Sequence, residues 1–298
     1  IGVQSMDDTI LLLNRRGHTS AETEDAVALV RAAGYKVVLH WMPNLLGATP
    51  ESDREDFKRL WRDGGLQPDE LKIYPCQLLE SAELYRYWQA GEYQPYSEET
   101  LISLIADVKL EVPRFCRINR VIRDIPSPLV VEGNRNTSLR QDVARLLQQR
   151  GQQCQCIRCR EIRYGKVDPK SLILTDQVYL AGRAEEHFLS FNTPDDKIVG
   201  FLRLSLPLVE TTPAIPDLHQ AAIIREVHVY GQSLEVGSEQ AGAAQHIGLG
   251  SQLLLEAERI AREHSFKGLA VISAVGTRNY YAERGFTLGE LYMRKSFE

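Results

Sequence analysis

The 298-residue chain contains no apolar run near the ~20 residues that a membrane-spanning helix requires, which excludes an integral helical membrane protein. No basic-then-apolar leader precedes the first apolar segment, so secretion and a disulfide framework are not expected. Internal repeats and low-complexity tracts are missing, which sets aside solenoids and long disordered linkers. The chain also lacks two phosphate-binding fingerprints. The pair Gly248 and Gly250 has no third glycine to complete a dinucleotide motif, and no Gly-Lys-Ser/Thr follows to make a Walker loop. It opens on Ile1 rather than Met, and IGVQS reads at once as a strand, so the chain is expected to be a fragment of a longer one with an upstream part missing.

What is present is an ordinary globular composition at about twice the usual domain length, which predicts two domains able to bury a core without staples. The net charge of −5 is unevenly spread. Between Arg114 and Lys166 stand eleven arginines and one lysine against four acidic residues, a net +8 that leaves −13 for the remainder. Guanidinium groups offer paired donors to phosphate, so this segment either binds a polyanion or pairs with the acidic remainder. Its only aromatics are Phe115 and Tyr164, so a polyanion would be read by backbone shape rather than by stacked bases.

Hydrophobic periodicity predicts strands at Ile1–Ser5, Lys36–His40, Leu71–Pro75 and Arg114–Ile122. Helices are predicted over Ala21–Gly34, Glu51–Gly64, Ser97–Leu110 and Thr137–Arg150, the second starting with a Ser52–Glu55 capping box. Strand and helix in alternation imply a parallel sheet. From Gln177 onward three strands, His187–Asn192, Lys197–Leu206 and Ala221–Gly231, follow without long helices, as in an antiparallel meander. Then come a helix over Leu249–His264, a strand at Leu269–Ser273, a helix over Thr277–Arg284 and a last strand from Phe286. The Gly/Ser/Ala/Glu-rich loop Gln232–Ala244 is expected to be mobile and to cover a pocket.

Two motifs point to chemistry. Cys154, Cys156 and Cys159 supply three of the four soft ligands a tetrahedral zinc needs, with Cys116 as the candidate fourth and His40 as a weaker one. Neighbouring Arg158 and Arg160 would favour thiolates, while three small buried residues clustered without a metal remain the plainer alternative. The second motif is Gln245, Gly248, Leu249, Gly250 and Ser251, leading into a helix whose N-terminal N–H groups suit an anion such as a diphosphate. On the strand before it, alternation sets Glu226, His228 and Tyr230 on one face and Arg225, Val227 and Val229 on the other. Sealing three polar side chains in a core is costly, so a site is favoured there, with Glu226 or His228 as a base.

The loop at Gln245–Ser251 resembles the pyrophosphate loop of GNAT acetyltransferases, as does the later Asn279-Tyr280-Tyr281 segment ending at Gly285-Phe286. Further segments, among them Gly2–Ser5, Arg15–Thr19, His40–Gly47, Ile118–Pro126, Cys154–Ile162 and Arg225–Gly231, together resemble the Elongator catalytic subunit family over essentially the whole chain. The resemblance implies an α/β fold: a partial radical S-adenosylmethionine, TIM-like parallel barrel over 1–150, a zinc-binding and tRNA-contacting linker over 151–170, and a GNAT α+β domain over 171–298.

It further implies modification of the tRNA wobble uridine to 5-carboxymethyluridine, with acetyl-CoA as substrate and tRNA-stimulated acetyl-CoA hydrolysis. Catalytic roles fall to Glu226, His228, Tyr280 and Tyr281. Acetyl-CoA would be held by Glu226, Val227, His228, Val229, Gln245, Gly248, Leu249, Gly250, Ser251, Asn279 and Tyr281. The anticodon region of tRNA would meet Arg117, Arg120, Arg123, Arg158, Arg160, Arg163 and Lys166, and zinc would sit on Cys154, Cys156, Cys159 and Cys116. The cysteines for the family's 4Fe-4S cluster are expected upstream, so this fragment is expected not to make the radical. Gln4, Ser5 and Met42–Asn44 would line the S-adenosylmethionine pocket. A cytoplasmic, possible homodimeric protein without membrane attachment is expected. The alternatives are a protein lysine acetyltransferase and a non-enzymatic tRNA-binding scaffold.

Overall fold

The computed structural model describes residues 1–123, 125–163, 167–208, 215–230 and 248–297. The loop Gln232–Ala244, Gln245 and Lys166 therefore lie outside the described residues. The chain divides into two compact units, one of Ile1–Val27 and Val37–Cys159, the other of Ala28–Lys36 and Arg160–Glu298.

The first unit begins with α1 (Asp8–Leu13), whose Asp7 carboxylate accepts the Thr9 and Ile10 N–H groups, and the start of α2 (Ser20–Ala32). Then come β1 (Val38–Trp41), α3 (Pro50–Arg59), β2 (Glu70–Ile73), β3 (Gln77–Leu79), α4 (Leu84–Gln89) and α5 (Glu98–Leu110). The unit closes with β4 (Arg117–Arg120), β5 (Val130–Gly133), α6 (Leu139–Gln149) and α7 (Ile157–Arg160), whose last residue begins the second unit.

Strands β1, β2 and β4 form a parallel sheet in that order, and β3 pairs with β5 antiparallel. Leu39, Trp41, Leu71, Ile73 and Ile118 are fully buried in it. Each such side chain contributes roughly 1.5–3 kcal/mol on burial. The expected strand at Ile1–Ser5 is reduced to one parallel bridge between Gln4 and Trp41. Its neighbours are drawn off to Asp56 of α3, which accepts from Ser5 Oγ (3.0 Å), Met6 N (2.7 Å) and Trp41 Nε1 (2.8 Å). The capping box of α3 is also displaced from expectation. Thr49 and Ser52 cap each other, with Pro50 following, because the helix starts one turn before the Ser52–Glu55 pair.

In the second unit β6 (Ile173–Ala181), β7 (Ala184–Asn192), β8 (Ile198–Pro207) and β9 (Ala221–Val229) run as an antiparallel meander. They are followed by α8 (Leu249–Glu263), β10 (Gly268–Val271), α9 (Arg278–Ala282), β11 (Thr287–Leu288) and β12 (Met293–Ser296). The seven strands order as β11-β12-β10-β9-β8-β7-β6, and only β9 with β10 is parallel. Leu253, Leu254, Ala257, Ile260 and Ala261 of α8 pack with Leu202, Leu204, Ile224 and Leu269 in one core.

Residues Ala28–Lys36 lie with this second unit. Gly34 adopts φ +77°, and a Cβ there would stand 2.8 Å from Ile223 Cγ2, so only glycine fits. The Tyr292 hydroxyl donates to the Ala33 carbonyl at 2.7 Å. Beside them, the buried Arg225 guanidinium forks onto Glu186 Oε2 (3.0 and 2.7 Å) and reaches the Tyr35 carbonyl, with Arg31 at 3.6 Å from the same carboxylate. This corrects the expected alternation. A register shift in the β8–β9 pairing between Arg203 and Leu204 bulges β9 at Arg225, so Arg225 shares a side with Glu226 rather than with Val227 and Val229.

Glu186→Ala leaves the guanidiniums of Arg31 and Arg225 buried without their carboxylate and is expected to cost about 3–5 kcal/mol in denaturant unfolding. A loss below about 1 kcal/mol would mean that other acceptors take over. In the first unit, burial raises the Asp53 carboxyl to about 7 against hydrogen bonds from Asn44 N and Tyr96 Oη. The folded state then holds a proton that the unfolded chain releases near pH 4, so Asp53 lowers stability progressively as pH rises through about 7. Unfolding midpoints at pH 5 and pH 8 should fall less steeply in Asp53→Asn; equal slopes would show the carboxyl ionised throughout.

Candidate functional site

The β9–β10 ladder runs from Ala221↔Gly268 to Ile224↔Val271 and stops. Beyond it β9 continues to Val229 paired with β8 alone, through Glu226↔Arg203, Val227↔Leu202, His228↔Phe201 and Val229↔Gly200. Among the described residues no strand pairs with the other edge of Glu226–Val229. Helix α8 starts beside that edge. Gly248, at φ +71°, is its N-cap and offers no side chain, which leaves the first-turn N–H groups without a side-chain cap. A Cβ on Gly250 would fall 2.5 Å from Tyr280 Oη and 3.9 Å from Val229 Cγ2. A glycine is therefore what lets the phenol, the helix start and the open edge converge.

Val227 and Val229 face α8, while Glu226, His228 and Tyr230 occupy the other face. Glu226 receives Arg203 Nε at 2.9 Å and Lys36 Nζ at 3.1 Å. Burial would raise its carboxyl, but the two cations outweigh it and hold it below the usual range. That favours a fixed charge over a proton acceptor. His228 is exposed, stacked on Phe201 with centroids 5.7 Å apart and edge-on to Tyr230 at 4.4 Å.

Tyr281 is packed into the α8 core against Phe286, and burial pushes its hydroxyl up to about 12. Asn279 is exposed at the start of α9, and Leu249 is buried in the first turn of α8. Ser251 accepts from Arg284 Nε at 3.0 Å. Arg284 also lies 3.6 Å over the Tyr280 ring and donates to the Tyr280 carbonyl. Sequence reasoning passed over this arginine, although its spacing of four from Tyr280 was the signal.

In the first unit the sulfurs of Cys154, Cys156 and Cys159 all lie within 4.8 Å of one another. Hydrogen bonds from Cys154 and Cys159 drive Cys156 toward the thiolate, and the same contacts push Cys154 up. Cys159 is raised as well, and the charge of Lys109, only 2% exposed, opposes these rises from nearby. A buried lysine facing clustered thiols was the second sign of this site, and sequence periodicity hid it on the buried side of α5.

Cys116, expected as the fourth ligand, does not join the group. It is fully buried at a turn before β4, where its N–H donates to Pro113 and its carbonyl accepts from Ile157. His40 stays outside as well, edge-on to Tyr74.

The arginines divide by exposure. Arg160, expected to meet RNA, is buried with Nη2 on Asn192 Oδ1 at 3.1 Å and Nε 3.4 Å from Asp196, so its charge is consumed inside the second unit. Arg158 donates to the Asn119 carbonyl and Arg117 is half-buried. Arg120 and Arg123 are exposed in the first unit, and Arg163 is exposed in the second with Glu161 3.8 Å away.

Gly250→Ala must displace Tyr280 from the helix start, and displacement of a flexible side chain spares the fold. The melting midpoint of this variant should be little moved, and a fall of several degrees in a thermal scan would show that the helix start cannot spare the space.

Comparison with known proteins now adds the lineage. Residues 68–149 match the Radical_SAM C-terminal domain. The chain is 40% identical over 306 residues to the Dehalococcoides mccartyi tRNA uridine(34) acetyltransferase, covering 100% of this chain and 66% of that protein. It is 39% identical over 301 residues to Homo sapiens Elongator complex protein 3, covering 99% of this chain and 55% of that protein. A solved structure of the N-terminally deleted Elongator protein from archaeal Methanocaldococcus infernus superposes with a TM-score of 0.90 at 36% identity, over 99% of this chain and 71% of that one. The chain thus spans just over half to about two thirds of the length of the curated relatives it matches. It belongs to the Elongator catalytic subunit family.

Proposed function

We propose that this chain provides the acetyl-CoA- and tRNA-binding parts of an enzyme that modifies the wobble uridine of tRNA. The observation that carries the reading is the parting of β9 from β10 at Ile224 and Val271, with Gly250 and Tyr280 at the opening. In this reading 171–298 is a GNAT domain, 1–150 a partial radical S-adenosylmethionine barrel and 151–170 a zinc-bearing linker. The pantetheine arm of acetyl-CoA lies along the open edge of Glu226–Val229, and its diphosphate meets the N–H groups at Gly248–Ser251.

Hydrolysis of the thioester then follows from the chain's own groups. His228 is the accessible base of the two candidates, because the Glu226 carboxylate is taken up by Arg203 and Lys36, which lower its affinity for a proton. Water attacks the acetyl carbonyl carbon, the C–S bond breaks, and the Tyr280 hydroxyl supplies the proton that the departing thiolate takes up. Tyr281 supports Tyr280 from the core, their rings edge to face at 5.2 Å.

The thiol triad fits zinc: three sulfurs are gathered, one is driven toward thiolate, and Lys109 offsets the charge. Bound there, the metal would supply structural cross-linking of the segment after α6. Among the described residues no second set of thiols is gathered, since Cys76 and Cys116 stand outside the triad. The steps above are accordingly those of the thioester alone. The tRNA phosphates fall to the exposed Arg120 and Arg123 of the first unit.

The test is thiol release from acetyl-CoA with and without tRNA. Stimulation by tRNA is expected, with Tyr280→Phe slower by about 100-fold. Arg120→Glu and Arg123→Glu should each weaken tRNA binding and lower its salt dependence by about one ion. Equal rates with and without tRNA, together with unchanged RNA binding by both arginine variants, would overturn the RNA half of the reading and leave a plain acetyl-CoA enzyme.

A further inference from the structure

The second unit brings together a group of side chains that the acetyl-CoA reading does not use. Glu185 and His187 stand two apart on β7, so they project from the same face of the strand. His264, the C-cap of α8, approaches them. His187 Nε2 is 3.3 Å from Glu185 Oε1, His264 Nε2 is 3.4 Å from the same oxygen, and the three donor atoms all lie within 4.8 Å of one another.

The other ring nitrogens decide what belongs at the centre. His264 Nδ1 lies 2.9 Å from the Ile260 carbonyl, an acceptor only, so that nitrogen carries the hydrogen. His187 Nδ1 lies 2.7 Å from Asp176 Oδ2, again an acceptor. With a hydrogen on each Nδ1, both Nε2 atoms are turned toward the same Glu185 oxygen. Two imidazole nitrogens converging on one carboxylate oxygen at these distances call for a positive centre among them, a proton or a metal ion.

We propose that Glu185, His187 and His264 form a binding site for a divalent transition metal, with Asp176 and the Ile260 carbonyl as the groups that orient the imidazoles. A tetrahedral ion holding N and O at about 2.0–2.2 Å sets neighbouring ligands about 3.3 Å apart, which the two N–O separations already match. A histidine ligand that donates its second N–H to a carboxylate or a carbonyl is the usual arrangement in such centres. His264 keeps 45% of its side chain exposed, so the ion has a route in and a fourth position for water. The nitrogen and oxygen donors select zinc, cobalt, nickel or copper and set this site apart from the thiol triad, which selects by sulfur. Occupied, the site would fasten the C-terminal end of α8, the helix whose other end starts at Gly248, to the β6–β7 hairpin.

The experiment titrates the full chain with Zn2+, and separately with Co2+, and counts metal per chain by mass spectrometry after gel filtration. One equivalent more is expected in the wild type than in His264→Gln, and added Zn2+ should raise the melting midpoint of the wild type but not of that variant. Because His264 is half-exposed, the variant's metal-free midpoint serves as its folding control. Asp176→Asn keeps all three ligands and should weaken the additional equivalent by about 10–100-fold. Co2+ at this site should give visible ligand-field bands, with thiolate charge-transfer bands arising only from the triad. Equal metal counts in the wild type and His264→Gln would overturn the proposal and leave a network held by protons, and so would Asp176→Asn binding as tightly as the wild type. The acetyl-CoA reading is judged by thiol release, so the two can fail separately.

Discussion

The second unit depends on how long β9 can serve two neighbours at once. It pairs with β10 over four residues and is clasped by β8 and β10 together only at Ile223 and Ile224; then the bulge at Arg225 turns the strand, and β10 no longer follows. Arg225 is kept at that bulge by a buried carboxylate on one side and the Tyr35 carbonyl on the other. Since a buried guanidinium cannot lose such partners cheaply, the distortion is locked in. The open edge, the helix start beside it and the phenol at Gly250 are all consequences of where that strand lets go.

Much of this was legible in the residues. The meander, α8 and the strand before it follow from alternation and from helical spacing, and the glycines at 248 and 250 mark the helix start. The bulge was not legible, because a single inserted residue in a strand leaves no trace in a pattern of period two. It put Arg225 on the unexpected side while leaving Glu226, His228 and Tyr230 where alternation had them. The capping of α3 by Thr49 was missed for a related reason: two capping boxes overlap in one stretch, and only packing chooses between them.

Charge was the least transferable signal. A run of arginines looks like one surface when written as a string, yet the fold spends Arg160 on Asn192 and Asp196, and Arg150 on Asp107. Exposure, rather than sequence density, sets Arg120 and Arg123 apart from these. The reverse holds for the cysteines. Their spacing announced a soft-ligand centre, but the supporting cation, Lys109, lies more than forty residues earlier on a buried helix face.

The stretch Ala28–Lys36 supplies Arg31, Gly34, Tyr35 and Lys36 to a sheet whose strands begin more than 130 residues later. The second unit is thus discontinuous in the chain, and no single cut can liberate it whole. During synthesis its covering piece leaves the ribosome long before the strands it covers, so that face can be completed only once Tyr292, more than 250 residues later, has been added.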